Sequence, residues 1–243
     1  MRNKKTFRFH LFVFNFFVTL HFDTLCVSQK FYQAKKIVEK AMFIEQSSNF
    51  LRHIFKAVWR INDGTKTLYL TFDDGPCPEI TPQVLDILDN YGIKATFFCV
   101  GENVRNFPDV FAEIIRRGHA VGNHTMHHLS GFACDYKAYI RDITEADEYI
   151  KSPLLRPPYG RISRRELRVL RKKYKIIMWD LITRDYNPKL SPEKIFKIVK
   201  RYTRKGSIIV FHDSPKAAKN MLPTLPKAIE WLMGQGYEFK IIS

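Results

Sequence analysis

Thr67-Leu-Tyr-Leu-Thr-Phe-Asp-Asp-Gly-Pro76 is the stretch whose reading decides the fold. Six residues with strong β character run into two adjacent carboxylates and a Gly-Pro turn, and a helical pattern follows from about Pro82 to Tyr91, closed by Gly92. A dinucleotide-binding fold would place a glycine-rich phosphate loop after this first strand, whereas Asp73-Asp74-Gly75-Pro76 stands there. Further β-type runs lie at 95–99, 119–121, 154–155, 176–179, 207–211 and 237–242, which makes seven candidate strands. Amphipathic stretches near 108–117, 136–150, 163–173, 192–204 and 223–233 separate them, several ending at a glycine such as Gly118, Gly206 or Gly234. This alternation predicts an α/β chain whose parallel sheet is covered by helices. A distorted (β/α) barrel of about seven parallel strands is preferred to an open, doubly wound sheet.

The chain is long enough for one such domain: 243 residues, 45% hydrophobic and 14% aromatic. Its 11 glycines and 12 prolines exclude collagen-like and low-complexity classes. Lys and Arg number 40 against 24 Asp and Glu, and the surplus is uneven. Residues 1–60 hold 11 bases and 3 acids, and residues 161–205 hold 16 and 4. The second block reads either as a solvated helix surface or as a face attracted to an anionic envelope. No nucleic-acid recognition module accompanies the charge. Cys26, Cys77, Cys99 and Cys134 form no C-x-x-C pair; one disulfide stays open, and Cys99 reads as a core residue. The N-terminus carries four positive charges in eight residues, then an apolar run from Leu11 to Leu20, the layout of a signal peptide or membrane anchor over 1–28. Asn15, His21 and Asp23 interrupt it, so a cytoplasmic extension is the alternative. A helical lead-in is expected over 29–65, with the main domain over 66–243.

Unusual polar clusters fall just after the candidate strands, where barrel enzymes build their active sites. Asp73 and Asp74 repel each other at a strand end; Asp-Gly is ordinary turn chemistry, but a cation neutralises the pair and leaves one carboxylate to act as a base. Four of the eight histidines lie within 119–128. His124 and His128, four apart, can turn both rings to one point, and with one carboxylate they leave open positions for water, as catalytic rather than structural metal sites do. With no thiolate in the set, zinc or a similar divalent ion is favoured. His127 should point away, and His119 is left out of the site. Arg156-Pro157-Pro158-Tyr159-Gly160 is a rigid turn whose guanidinium can fix a carboxylate through two hydrogen bonds; Tyr159 and Gly160 supply the first amide donors after the prolines. Trp179-Asp180 with Arg184-Asp185-Tyr186, and Val210-Phe211-His212-Asp213, complete the clusters. His212 facing an aspartate of the previous loop is a candidate general acid.

From about Lys66 onward the chain resembles the NodB-type polysaccharide deacetylases of carbohydrate esterase family 4. TFDDGP, HTMHH, RPPYG, the TRDY region and IIVFHD appear in that family's order. The resemblance implies a distorted (β/α) barrel, a divalent metal, usually zinc, and removal of N-acetyl groups from amino sugars of a glycan. Carried over by position, it implies Asp73 as base, Asp74, His124 and His128 as metal ligands, Arg156 orienting Asp73, and His212 as acid tuned by Asp185. Tyr186 stands where the family usually has tryptophan and Val210 where it has leucine, both in the walls of the acetyl pocket. The alternatives are a metal-dependent amide or ester hydrolase of a non-glycan substrate on the same barrel, or a glycan-binding protein without turnover.

Overall fold

The computed structural model describes Glu45, Gln46, Arg52 and residues 55–243. The expected signal peptide or anchor over 1–28 lies outside the described residues. So does most of the lead-in, and its described part over 55–65 forms bends and bridges rather than the expected helix.

Seven strands, β1 (Thr67–Asp73), β2 (Thr96–Cys99), β3 (Ala120–Asn123), β4 (Leu154–Leu155), β5 (Lys175–Ile176), β6 (Leu181–Ile182) and β7 (Ile208–His212), form one sheet in the order β5-β4-β3-β2-β1-β7-β6. An eighth, β8 (Glu238–Phe239), adds to β1, and every pairing is parallel. The helices are α1 (Thr81–Asn90), α2 (Gly101–Asn106), α3 (Pro108–Arg116), α4 (Tyr136–Ile150), α5 (Arg164–Leu170), α6 (Pro192–Tyr202) and α7 (Pro215–Gly234). The sheet curls into the expected distorted barrel of seven parallel strands.

Period-2 geometry sorts the strand residues into two cores. Leu68, Leu70 and Phe72 of β1, with Ile209 and Phe211 of β7, pack outward on Val84, Leu85, Leu225 and Ile229 of the helices. Tyr69, Phe98, Ile208 and Val210 point inward, onto Leu155, Ile177 and Trp179. A central strand buried on both faces explains why TLYLTF reads as nearly continuous apolar sequence. Each fully buried leucine contributes about 2–3 kcal/mol.

β5 and β6 are the two ends of the sheet, and described residues of the lead-in bond to each. Val58 donates to Ile176 O and accepts from Met178 N, both at 2.8 Å, and Glu45 O accepts from Ile182 N at 2.9 Å. Arg52 and Arg204 both pair with Asp180, which is fully buried and also accepts from Ser207 Oγ at 2.7 Å. Asp180 therefore precedes β6, at the N-terminal end of the strands, and the Trp179-Asp180 pair belongs to the barrel's closure rather than to a site.

Three elements differ from the sequence reading. The six-residue α2 has no counterpart among the expected stretches. The two-residue β6 is too short to produce a pattern. The last helix begins at Pro215, eight residues before the expected stretch, and runs through Pro223 and Pro226. Proline removes an interior helix bond, but buried Met221, Leu225, Ala228, Ile229 and Leu232 hold this helix against the sheet on both sides of the interruption.

Candidate active site

Asp73, His124, Arg156 and His212 all stand at or just beyond the C-terminal ends of parallel strands, and the register of β1 on β7 sets Asp73 directly beside His212. Asp73 ends the inward-facing row of β1. Arg156, fully buried, donates from Nη1 to Asp73 Oδ1 at 2.5 Å and to Thr71 Oγ1 at 2.8 Å. The two-bond clamp expected from the sequence does not form, because Nη2 and Nε are taken by Met178 O and Ile177 O. The guanidinium also lies 4.0 Å over the Phe98 ring.

Asp74 takes a left-handed conformation, φ 82°. This turns its carboxylate away from Asp73 and toward the histidines: Oδ1 is 3.2 Å from His128 Nε2 and 3.7 Å from His124 Nε2. One donor atom from each residue falls within 4.8 Å of the others. Donors at tetrahedral angles about one zinc ion stand about 3.3 Å apart, so the set fits a single ion of that size. Both rings are also held from behind: His124 Nδ1 lies 2.7 Å from Arg156 O and His128 Nδ1 3.1 Å from Tyr159 Oη, which turns each Nε2 to the common point. Burial pushes His124 down to about 4, leaving the neutral imidazole that a metal needs. Burial opposes the Asp74 charge, but the His128 bond and the charge of His212 outweigh it and hold the carboxyl well below its usual range.

His212 faces Asp185 as expected. Its Nδ1 lies 2.7 Å from Asp185 Oδ1, and its amide donates to Asp185 Oδ2 at 2.8 Å. Burial alone would lower the imidazole, yet the charge and hydrogen bond of Asp185 prevail and push it up to about 9. The ring is therefore cationic at neutral pH. Tyr186 packs edge-on against it at 5.0 Å, and Val210 shares the inward face of β7 two residues before it. Tyr159 stands at the rim, half exposed, with its ring 4.7 Å from His128. Gly160 N–H is committed to Pro157 O at 2.9 Å, which leaves Tyr159 N–H of the two amides singled out in the sequence.

His127 turns to Asp142, 2.6 Å away, and His119 accepts from Ala95 N, so both stay outside the cluster as expected. Asp213 had no role in the sequence reading. Its buried carboxylate accepts from Gly75 N at 3.1 Å and from Thr81 Oγ1 at 2.6 Å, and its own amide donates to Asp73 O. Gly75 has no room for a side chain, since a Cβ there would collide with this carboxylate. Asn103 holds Asp74 O at 2.7 Å. A second acid directly after His212 was the available signal; its partner 132 residues away was not readable.

The parallel barrel thus gathers two carboxylates, the imidazoles of His124 and His128, and a histidine held by Asp185 at its C-terminal rim. The polysaccharide deacetylase family model matches residues 60–175. A peptidoglycan-N-acetylglucosamine deacetylase of Bacillus cereus is 34% identical over 194 residues, spanning 76% of this chain and 90% of that protein. A chitooligosaccharide deacetylase of Rhizobium leguminosarum bv. trifolii is 34% identical over 155 residues, 61% of this chain and 72% of its own. The crystal structure of the Bc1960 peptidoglycan N-acetylglucosamine deacetylase superposes with a TM-score of 0.75 at 28% identity, covering 81% of this chain and 95% of that one. The chain belongs to the polysaccharide deacetylase family, and it is a hydrolase of carbon–nitrogen bonds.

Proposed function

We propose that the protein removes N-acetyl groups from N-acetylglucosamine units of a glycan, with a divalent ion held by Asp74, His124 and His128. The observation that carries this reading is the meeting, at one rim, of a buried carboxylate fixed by Arg156, a three-donor cluster, and a histidine pushed up to about 9 by Asp185. The names of the relatives, peptidoglycan and chitooligosaccharide deacetylases, supply the substrate class.

An acetamide is a weak electrophile with a poor leaving group, so three tasks must be met. Asp74, His124 and His128 would hold a divalent ion, which would supply polarisation of the acetamide oxygen and a more acidic water. Asp73 takes the proton from the water that attacks the carbonyl carbon. Arg156 aims Asp73 through the Nη1–Oδ1 hydrogen bond. Tyr159 N–H faces the oxygen on which negative charge grows. His212 donates its Nε2 proton to the departing sugar nitrogen, while Asp185 holds Nδ1 and stabilises the cation until transfer. Tyr186 and Val210 wall the acetyl pocket. The C–N bond breaks, and acetate and a free amine leave with no covalent enzyme intermediate.

Acetate release from peptidoglycan and from chito-oligosaccharides, with and without chelator, tests the reading. Metal-restored release with an equal yield of free amines is expected. Release unaffected by prolonged chelation would overturn the metal assignment, and no release from either glycan would overturn the substrate class.

A further inference from the structure

The basic block at 161–205 does not make one surface. Arg204 is committed to Asp180 and Arg184 to Glu45, and the exposed lysines of α6 sit on a helix that joins β6 to β7. A coherent positive face occurs on α5, between β4 and β5. Arg164, Arg165 and Arg168 of the helix, with Arg171 and Lys172 of the turn after it, are all exposed; at 100° per residue the helical three fill an arc of about 100°. Glu166, Leu167 and Leu170 lie on the opposite, buried side. Glu166 is the one acid of the helix, and its carboxylate is consumed in a capping box, accepting from Ser163 N at 2.7 Å.

Nothing neutralises this face. Some bases elsewhere are paired: half-buried Arg117 bonds Asp86, Asp89 and Glu113, and exposed Lys173 bonds Asp147. None of the five forms an ion pair among the described residues. Their placement also works against the helix. Arg164 and Arg165 sit in the first turn, where the helix dipole repels cations, and Arg164 with Arg168 are like charges four apart. Among the five, Arg165 stacks over the Tyr136 ring at 4.1 Å, a contact that leaves its charge unpaired. Val169, 38% exposed, adds an apolar side chain next to the arc. The five side chains lie on the solvent-facing side of α5 and the turn after it, opposite buried Leu167 and Leu170. A plane dense in negative charge can meet all five cations at once.

We infer that the α5 face, Arg164, Arg165, Arg168, Arg171 and Lys172, docks the protein on an anionic phospholipid surface. Each basic side chain near such a surface contributes roughly fivefold in partitioning at low salt, so the five together are worth at least about a hundredfold.

The test is co-sedimentation of the full chain with vesicles of phosphatidylcholine alone or mixed with phosphatidylglycerol, at low and high salt. The phosphatidylcholine arm reads any attachment through the apolar run at 11–20. Two variants are compared with the parent: R164Q/R165Q/R168Q/R171Q/K172Q, and a matched control of equal charge loss, K189Q/K194Q/K197Q/K200Q/R201Q. Salt-sensitive binding to the mixed vesicles is expected, lost in the α5 variant and largely kept in the control. Circular dichroism and acetate release from a soluble chito-oligosaccharide should be unchanged in the α5 variant, which separates docking from folding and from the catalytic reading. Equal weakening in both variants, or binding by the parent to isolated peptidoglycan but not to phosphatidylglycerol vesicles, would overturn the inference.

Discussion

Asp213→Ala tests whether a residue that touches neither the donor cluster nor the carboxylate of Asp73 controls both. The Asp213 carboxylate is buried and holds two donors, Gly75 N–H at 3.1 Å and Thr81 Oγ1–H at 2.6 Å; Thr81 Oγ1 in turn accepts from Cys77 N at 2.8 Å. These bonds clasp the turn that follows Asp73 and Asp74. Alanine leaves two buried donors unsatisfied at about 1–3 kcal/mol each, so a loss of about 2–5 kcal/mol of stability is expected. Asparagine keeps the acceptor for Gly75 but presents an NH₂ to Thr81, so about half of that loss should appear. Because a misplacement of about 1 Å can cost on the order of 10²-fold in rate, kcat should fall at least about tenfold in the alanine variant even under conditions where it is fully folded. Urea unfolding, kcat and KM on a chito-oligosaccharide, and metal content should be measured together. Thr81→Ser should restore near-parent behaviour, whereas Thr81→Val should resemble Asp213→Asn, and the Thr81→Val/Asp213→Ala pair should be less than additive. Alanine at 213 with parental kcat, whatever its stability, would refute the clasp as a positioning device.

Four further outcomes follow from the site. His124→Ala and His128→Ala should each lose bound metal together with activity; elemental analysis showing full metal occupancy in either would remove that residue from the ligand set. Asp185→Asn should lower the His212 pKa from about 9, so the alkaline limb of the kcat profile moves to lower pH, and an unmoved limb would assign it to another group. The same raised pKa sets a stability trend: the contribution of His212 is complete below its unfolded value near 6.5 and is lost as pH rises through about 9, so urea midpoints should fall across that window in the parent and less in Asp185→Asn. Arg156→Ala leaves Asp73 buried beside an empty guanidinium site and should cost about 3–5 kcal/mol of stability, as breaking a buried ion pair does. Its kcat loss should overlap that of Asp73→Asn rather than add to it, which a double-variant cycle reads directly.

Much of the site was legible because each functional group sits in a short contiguous run at a strand end. TFDDGP, HTMHH and RPPYG each bring their own strand, turn and reactive side chain, so a parallel barrel assembles them at one rim without further information. Pairings across that rim were less legible. The His212–Asp185 bond followed from two runs already suspected, but the division of Arg156 among Asp73, Thr71 and two carbonyls depends on how far the guanidinium sinks into the barrel. The Asp213–Thr81 bond joins two residues whose local sequence reads as an ordinary loop and helix start. In the fold, period 3.6 and period 2 found the long elements, whereas two-residue strands and a helix continuing through two prolines are decided by tertiary burial rather than by local preference.

The lead-in shows why the barrel's closure escaped a pattern reading. A wall strand declares itself through alternating burial over several residues, but the described lead-in is bound at separate points: Val58 to Ile176 and Met178, Glu45 to Ile182, Ile61 to Gly206. Its apolar residues are spaced as on a helix, yet the described part spends its backbone donors and acceptors on the barrel. This has a catalytic consequence. β6 leads straight into Arg184 and Asp185, and Glu45 grips it twice, by its carbonyl on Ile182 N and its carboxylate on Arg184 Nη1 at 2.8 Å. Arg52 bonds Asp180 at the other end of the same short strand. A two-residue strand bonded to β7 on one side gains its second edge from Glu45 and Gln46, so the loop that aims Asp185 at His212 rests on chain that lies before residue 60, outside the span that the family model matches.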